Sequence, residues 1–351
     1  MRAQSLNSRL LPHPLRCLPT ALTAVILSAI SSGASAHVRW FVDSNDPNLT
    51  QFPSYGITDG PVLAWVGIGI VLVAIAIFLD GRLPSPPIIP SKFRHDAMEL
   101  LRVFTGISFL LTAYGGALLA PHLVAAGGFG VALLFLQAII GIILISNHLI
   151  HHAALLMILL FLGTMVQFGF VGAFEYVNVV GIALFLYFNH APNEEVRAKL
   201  KPYSVDVLRI FTGIALITLG VTEKLTGAML GQSFVANFGW NFMPVLGFEW
   251  YTDQLFVLSA GAMEVIFGII MVTGAITRLN TFVIAAFMLT SNVVFLLTGE
   301  NENALLELVG HMPIIATAVI LLLLGYGQRL KVMNPTLRNA GASEGKSMAA
   351  E

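Results

Sequence analysis

Two things are scarce in this chain: cysteine and charge. The one cysteine, Cys17, lies in an N-terminal stretch with the marks of a leader, so the mature chain is expected to have no disulfide, thiol nucleophile or cysteine metal site. Charged residues make up 11% of the sequence, against about 25% in a soluble domain. There is no P-loop, no flavin motif and no set of iron–sulfur cysteines. No two histidines sit at matched mid-membrane depth on separate segments, as bis-histidine haem would need. The net charge of −1 identifies no partner, and no nucleic acid is expected. What is abundant is apolar: 56% of residues, with mean hydropathy +0.83. The expected class is an all-α integral membrane protein whose main partner is the lipid bilayer.

Residues 1–36 resemble a secretory signal peptide. Arg2, Arg9 and Arg16 supply a basic region, Leu18 to Ile30 a short apolar core, and Ser32-Gly33-Ala34-Ser35-Ala36 a small-residue cleavage site. An uncleaved first helix is the other reading. Cleavage after Ala36 leaves His37 as a new N-terminus outside the cytoplasm. Its α-amine and imidazole could then chelate a copper ion, since both are nitrogen donors that suit that metal.

Residues 37–60 are polar, aromatic and turn-rich, and are expected to form a periplasmic arm. An extra helix (61–79) and a Pro-rich linker complete the stretch to residue 96. Eight more apolar segments follow, near 97–120, 129–147, 153–173, 175–190, 203–225, 253–276, 279–298 and 303–327. The basic residues set the orientation. Arg82, Lys92, Arg94, Arg197, Lys199, Lys201, Arg278, Arg329, Lys331, Arg338 and Lys346 fall on one side, Arg39 and Lys224 on the other. Nine transmembrane helices in a bacterial inner membrane, N-terminus periplasmic and C-terminus cytoplasmic, satisfy this asymmetry.

The sequence also repeats. Leu101-Arg102-Val103-Phe104-Thr105-Gly106-Ile107 recurs as Leu208-Arg209-Ile210-Phe211-Thr212-Gly213-Ile214, and Gln137 with Gly141 aligns with Glu264 and Gly268. Two parallel four-helix bundle repeats are expected, at 97–202 and 203–330, with a cytoplasmic tail at 331–351. The second holds Glu223, Lys224, Glu264, Asn292, Glu307 and His311. Unit one has Gly116 and Ala117 where Glu223 and Lys224 stand, and Gln137 where Glu264 stands, so unit one reads as scaffold. An ionisable side chain at bilayer depth costs several kcal/mol and is functional by default. Glu307 and His311, spaced i, i+4, share a helix face, and all six could converge on one cavity opening outward. Structural ion pairs are the competing reading. Helix geometry places Lys224 nearer the outer face than Glu264. The loop Gly227–Trp250 is crowded with Phe234, Phe238, Trp240, Phe242, Phe248 and Trp250, as either a ligand-holding lid or an interfacial belt. His148, His151 and His152 fit a wet turn better than a metal site.

About 125 residues of the second unit resemble the DoxX/DoxD group of four-helix bacterial membrane proteins. The likeness rests on Gly220-Val221-Thr222-Glu223-Lys224-Leu225, Glu264 to Gly268, Thr277-Arg278, Glu307-Leu308-Val309 and Gly325-Tyr326-Gly327. It implies a membrane subunit of a quinone-linked oxidoreductase, accepting electrons from a small (possibly sulfur) reductant or a periplasmic redox partner subunit. In that reading Glu264 and Glu307 handle protons, helped by Glu223 and His311, Lys224 steadies an anionic substrate, and Trp240, Phe242, Trp250 and Asn292 hold the quinone. The leader, the arm, the extra helix and the duplication are not part of a minimal member of that group. A transport or copper-handling protein using His37 and the same cavity is the alternative, and a non-catalytic assembly subunit a third.

The charge asymmetry yields a first test. A reporter fused after Lys331 is expected on the cytoplasmic side and one inserted near Gly299 on the periplasmic side; both on one side would remove the nine-helix topology.

Overall fold

The computed structural model describes residues 37–44, 46–80, 82–83, 93–325 and 328–332. The leader with Cys17, most of the Pro-rich linker, Tyr326-Gly327 and the tail from residue 333 lie outside them. The described residues are helical and contain no strand. They form α1 (Gly60–Asp80), α2 (Phe93–Tyr114), α3 (Gly127–Ser146), α4 (Ile150–Phe174), α5 (Asn178–His190), the short α6 (Glu194–Leu200), α7 (Ser204–Leu219), α8 (Ala228–Phe238), α9 (Asp253–Thr273), α10 (Thr277–Leu297) and α11 (Asn301–Leu324). Eight helices among the described residues are long and apolar enough to cross a membrane. The segment expected at 175–190 is not among them. Its helix, α5, has 13 residues and rises about 20 Å at 1.5 Å per residue, because Glu175 to Val177 are spent on a turn after α4.

α2, α3, α4, α5, α7, α9, α10 and α11 form a closed ring, each packed on the next, with α11 returning onto α2. The helices of 97–202 therefore do not close into a bundle of their own. Their first, α2, lies along α11, and their last, α5, lies along α7. α1 stands outside the ring against α9, with most of its apolar surface uncovered.

The repeated heptapeptides do the same physical work twice. A Cβ on Gly106 would come within 3.0 Å of the Gly141 carbonyl, and one on Gly213 within 2.8 Å of the Gly268 carbonyl. Only glycine lets α2 cross α3, and α7 cross α9, at that separation. The arginines close the far ends of the partner helices. Arg102 donates to the carbonyls of Leu144 and Ile145 at the end of α3. Arg209 donates to those of Met271 and Val272 at the end of α9, and to Leu330 at 2.5 Å. Each satisfies carbonyls that a helix C-terminus leaves orphaned and sits at the negative end of its dipole. Asp206 beside Arg209 accepts from the backbone of Arg329 and Leu330, while Lys331 pairs with Asp80 of α1 at 3.0 Å. This end is thereby tied together.

At the other end the arm is folded rather than free. Two tight helical turns, Val38–Trp40 and Pro47–Gln51, bury Val38, Val42 and Leu49 against α8, Trp240 and Phe295, worth about 1.5–3 kcal/mol per side chain. The stretch expected to be an aromatic loop is partly α8, an eleven-residue helix whose apolar face receives the arm.

Gly213→Leu is expected to lower the melting temperature of the detergent-solubilised protein, at a cost of about 1–3 kcal/mol from overpacking. Gly67→Leu, where a Cβ meets nothing within 4 Å, should leave it unchanged. Equal melting of the two variants would show that the close crossing carries no stability.

Candidate functional site

After α7 the helix widens into a π turn, Gly220–Leu225. Consecutive α-helical residues point about 100° apart, so one of two neighbours normally faces away from a core. The wide turn buries both Glu223 and Lys224, in keeping with the tendency of such turns to mark functional positions. Gly220 makes the approach possible, since a Cβ there would lie 2.8 Å from the Gly261 carbonyl of α9. Lys224 Nζ then reaches Glu264 Oε2 at 3.0 Å and Glu223 Oε2 at 3.7 Å. The expected separation in depth between Lys224 and Glu264 is thus bridged by the length of the lysine side chain.

Glu307 and His311 share a face of α11, with Oε1 and Nδ1 3.8 Å apart. Ser291 of α10 donates to Glu307 Oε1 at 2.5 Å. Its neighbour Asn292 does not line the cavity and donates only to the Met288 carbonyl, at 3.4 Å. Both acidic residues of these pairs that lack solvent contact, Glu223 and Glu307, keep one carboxylate oxygen without a hydrogen-bond partner.

The arm joins the two groups. Val38 N–H donates to Glu223 Oε2 at 3.0 Å. The His37 ring stacks on Trp40 with centroids 4.3 Å apart and lies 5.1 Å from the His311 ring. Trp40 donates to Tyr176 at 3.0 Å and fits against Gly310, where a Cβ would meet its ring at 2.2 Å. Arg39 reaches Glu175 at 3.4 Å, and Thr222 donates to the same oxygen at 2.7 Å. Burial pushes the His37 imidazole well below its usual range, with His311 and Lys224 adding to the effect, so it is neutral at pH 7.

These groups bound the arm end of a cavity of about 130 Å³ enclosed by α2, α5, α7, α9, α10 and α11. Deeper in, the walls are Leu216, Phe267, Met271, Ile284, Phe287 and Met288. Thr212 also lines it, but its hydroxyl is spent on the Leu208 carbonyl. An apolar cavity of roughly 150 Å³ holds one benzene, so the space suits one six-membered ring whose polar edge meets Lys224, Glu264 and the histidines.

Five expected site residues therefore come together: Glu223, Lys224, Glu264, Glu307 and His311, with His37 added from the arm. The aromatic residues expected to hold a ligand do not. Trp240 packs on Phe234 and Phe295, Phe242 on Phe256, and Trp250 is exposed against Phe248. Their work is to seat the arm and the loop beneath it. Sequence reasoning missed Glu175, Tyr176, His122 and Ser291. Glu175 carries a signal of its own, a lone charge between two apolar segments. His122 sits 5.8 Å from the Tyr176 ring, and burial lowers it to about 4. Among the described residues no three histidine, cysteine or acidic side chains are arranged to hold a metal ion. His148 and His152 lie exposed at the opposite end. No family model, curated protein or solved structure matches the chain.

Lys224 is the test of this arrangement. Lys224→Met leaves the buried Glu223 and the half-buried Glu264 around no cation and is expected to cost about 3–5 kcal/mol. Adding Glu264→Gln should recover part of that loss. Detergent melting at pH 7 measures both; a Lys224→Met variant as stable as the native chain would mean the pair is not formed.

Proposed function

We propose that the chain binds one flat, largely apolar ring, a quinone headgroup, in this cavity, and serves as the membrane subunit of a quinone-linked oxidoreductase. The observation that carries the reading is the cavity itself. It has the size of one six-membered ring, apolar walls at depth, and an ammonium, buried carboxylates and imidazoles at one end only. The resemblance of residues 203–327 to the DoxX/DoxD group points the same way.

A bound quinone would supply a couple of two electrons and two protons. Lys224 is placed to bind a carbonyl edge and to oppose negative charge developing there, and Glu223 and Glu264 hold it in position. Glu307, held by Ser291, can take up or give back a proton, and Glu175 offers a second carboxylate toward the arm. The arm excludes water from the same end, with Trp40 wedged between Gly310 and Tyr176. A permeation route finds less support, because His37 and Trp40 fill the place where it would open.

We further read the two helical units as a duplication, with the charged cavity built mainly by the second and walled by α2 and α5 of the first. The matched Gly crossings and Arg caps support it. With basic residues such as Lys199, Arg278 and Lys331 at the end opposite the arm, the arm side is periplasmic, the membrane is the bacterial inner membrane, and a periplasmic partner would deliver the electrons.

The test is quinone content. Protein purified from native membranes and extracted with solvent is expected to yield close to one quinone per chain. Ala215→Phe, which fills the cavity wall, should lose it while keeping the native melting profile. Wild type that carries no quinone, and takes none up when supplied with it, would sink the reading.

A further inference from the structure

We propose that the arm end of the cavity is a copper(II) site built from three nitrogens: Nδ1 of His37, Nδ1 of His311, and the main-chain amine that His37 gains when the chain is cut after Ala36.

The first observation is polar satisfaction. The His311 side chain is buried and that of His37 partly so, and in each the Nδ1 atom is closed off from solvent and has no hydrogen-bond partner. A buried unsatisfied nitrogen costs about 1–3 kcal/mol, and two such atoms in one place want a shared partner. The polar groups beside the His311 ring are those of Glu307, its backbone and its Oε1, which is 3.8 Å from Nδ1 and beyond hydrogen-bond reach. Trp40 beside them is satisfied by Tyr176; His122, whose ring nitrogens are also without partners, lies on the far side of that contact, against the Tyr176 ring.

The second observation is spacing. An imidazole nitrogen sits about 2 Å from its metal, so two rings on one ion have centres at most roughly 6 Å apart. The ring centroids of His37 and His311 are 5.1 Å apart. The third donor comes from the backbone, so the set is not a trio of side chains. An N-terminal histidine offers its amine and its own Nδ1 to the same ion. Here the residue is held in place, because the next amide, Val38 N–H, is bonded to Glu223.

Charge favours a cation as well. Glu175, Glu223, Glu264 and Glu307 surround a space that Lys224 and Arg39 neutralise only in part. Three nitrogen donors with carboxylates nearby and no sulfur suit copper(II). Binding releases the amine proton, so affinity rises with pH until that amine is neutral. None of this depends on the cavity holding a quinone.

The experiment uses full-length protein, expressed with its leader in a bacterial host and purified in detergent. Intact mass is expected to place the N-terminus at His37. Metal-free protein titrated with Cu(II) should take up one ion per chain, and its electron paramagnetic resonance spectrum should show three nitrogen couplings, two of them moved by ¹⁵N-imidazole histidine. His311→Gln should weaken binding by more than roughly 100-fold, the upper range for removing even a supporting partner of a metal ligand. Ala215→Phe should leave copper binding intact, which separates this site from the ring-binding one. A chain still carrying residues before His37, no stoichiometric copper, or a His311→Gln variant that binds like the native chain would each overturn the proposal. If that variant does not fold, the labelled wild-type spectrum decides, since a single coupled imidazole removes His311 from the site.

Discussion

The constraint on which the rest of this structure depends is that Lys224 must be kept inside a helical membrane protein. An ammonium there is tolerable only with partners at contact distance, and Glu264 at 3.0 Å and Glu223 at 3.7 Å provide them. Meeting that need shapes the backbone. The helix opens into a π turn so that neighbouring residues 223 and 224 both face inward. Gly220 and Gly261 bring α7 and α9 within reach of the pair, and a Cβ on either would meet the other's carbonyl at about 3 Å. Once the lysine is held, its surroundings hold excess negative charge, and that charge is met by donors from the arm. The arm gives Glu223 a backbone donor and Glu175 a guanidinium.

The arm is where sequence reasoning and structure part most clearly. Its composition reads as a polar, turn-rich arm, and nothing local announces that His37 and Trp40 pack in among the helices. Their seating follows from shape. Gly310 leaves a hollow on α11 that an indole fills, and α5 begins only after the Glu175–Val177 turn, leaving room beside it. Partners 136 and 185 residues apart in sequence, such as Trp40 with Tyr176 and Val38 with Glu223, are invisible to any local pattern. The aromatic stretch before α9 was legible as unusual but misread in purpose. Phe234, Trp240 and Phe295 form the floor on which Phe41 sits, so their rings serve the arm instead of lining the cavity.

Long apolar runs predict helices because a bilayer leaves backbone groups no other partner, and those runs match the helices to within a few residues. The i, i+4 spacing of Glu307 and His311 placed them on one face, as observed. The rule that charge at bilayer depth is functional by default picks out five of the cavity's ionisable groups and applies equally to Glu175. It failed at Asn292 for a geometric reason: adjacent helical residues diverge, and the one facing Glu307 is Ser291.

Gln137 and Glu264 show how one position can be put to two uses. In the first heptapeptide-bearing stretch, Gln137 is fully buried. It accepts from Leu119 N–H and donates toward Thr112 and the carbonyls of Phe109 and Ala117. An amide there, with donors and an acceptor on one head, pins the loop that follows α2 and leaves no polar capacity over. In the second stretch the same place in the helix carries a carboxylate, which only accepts, and the loop beyond α7 has been replaced by the π turn with its lysine. A carboxylate in the first setting would leave the carbonyls of Phe109 and Ala117 without a donor, and a neutral amide in the second would leave Lys224 short of countercharge. Each local choice is consistent only with its own surroundings. That is the physical reason the same helical position serves packing in one stretch and holds charge beside a cavity in the other.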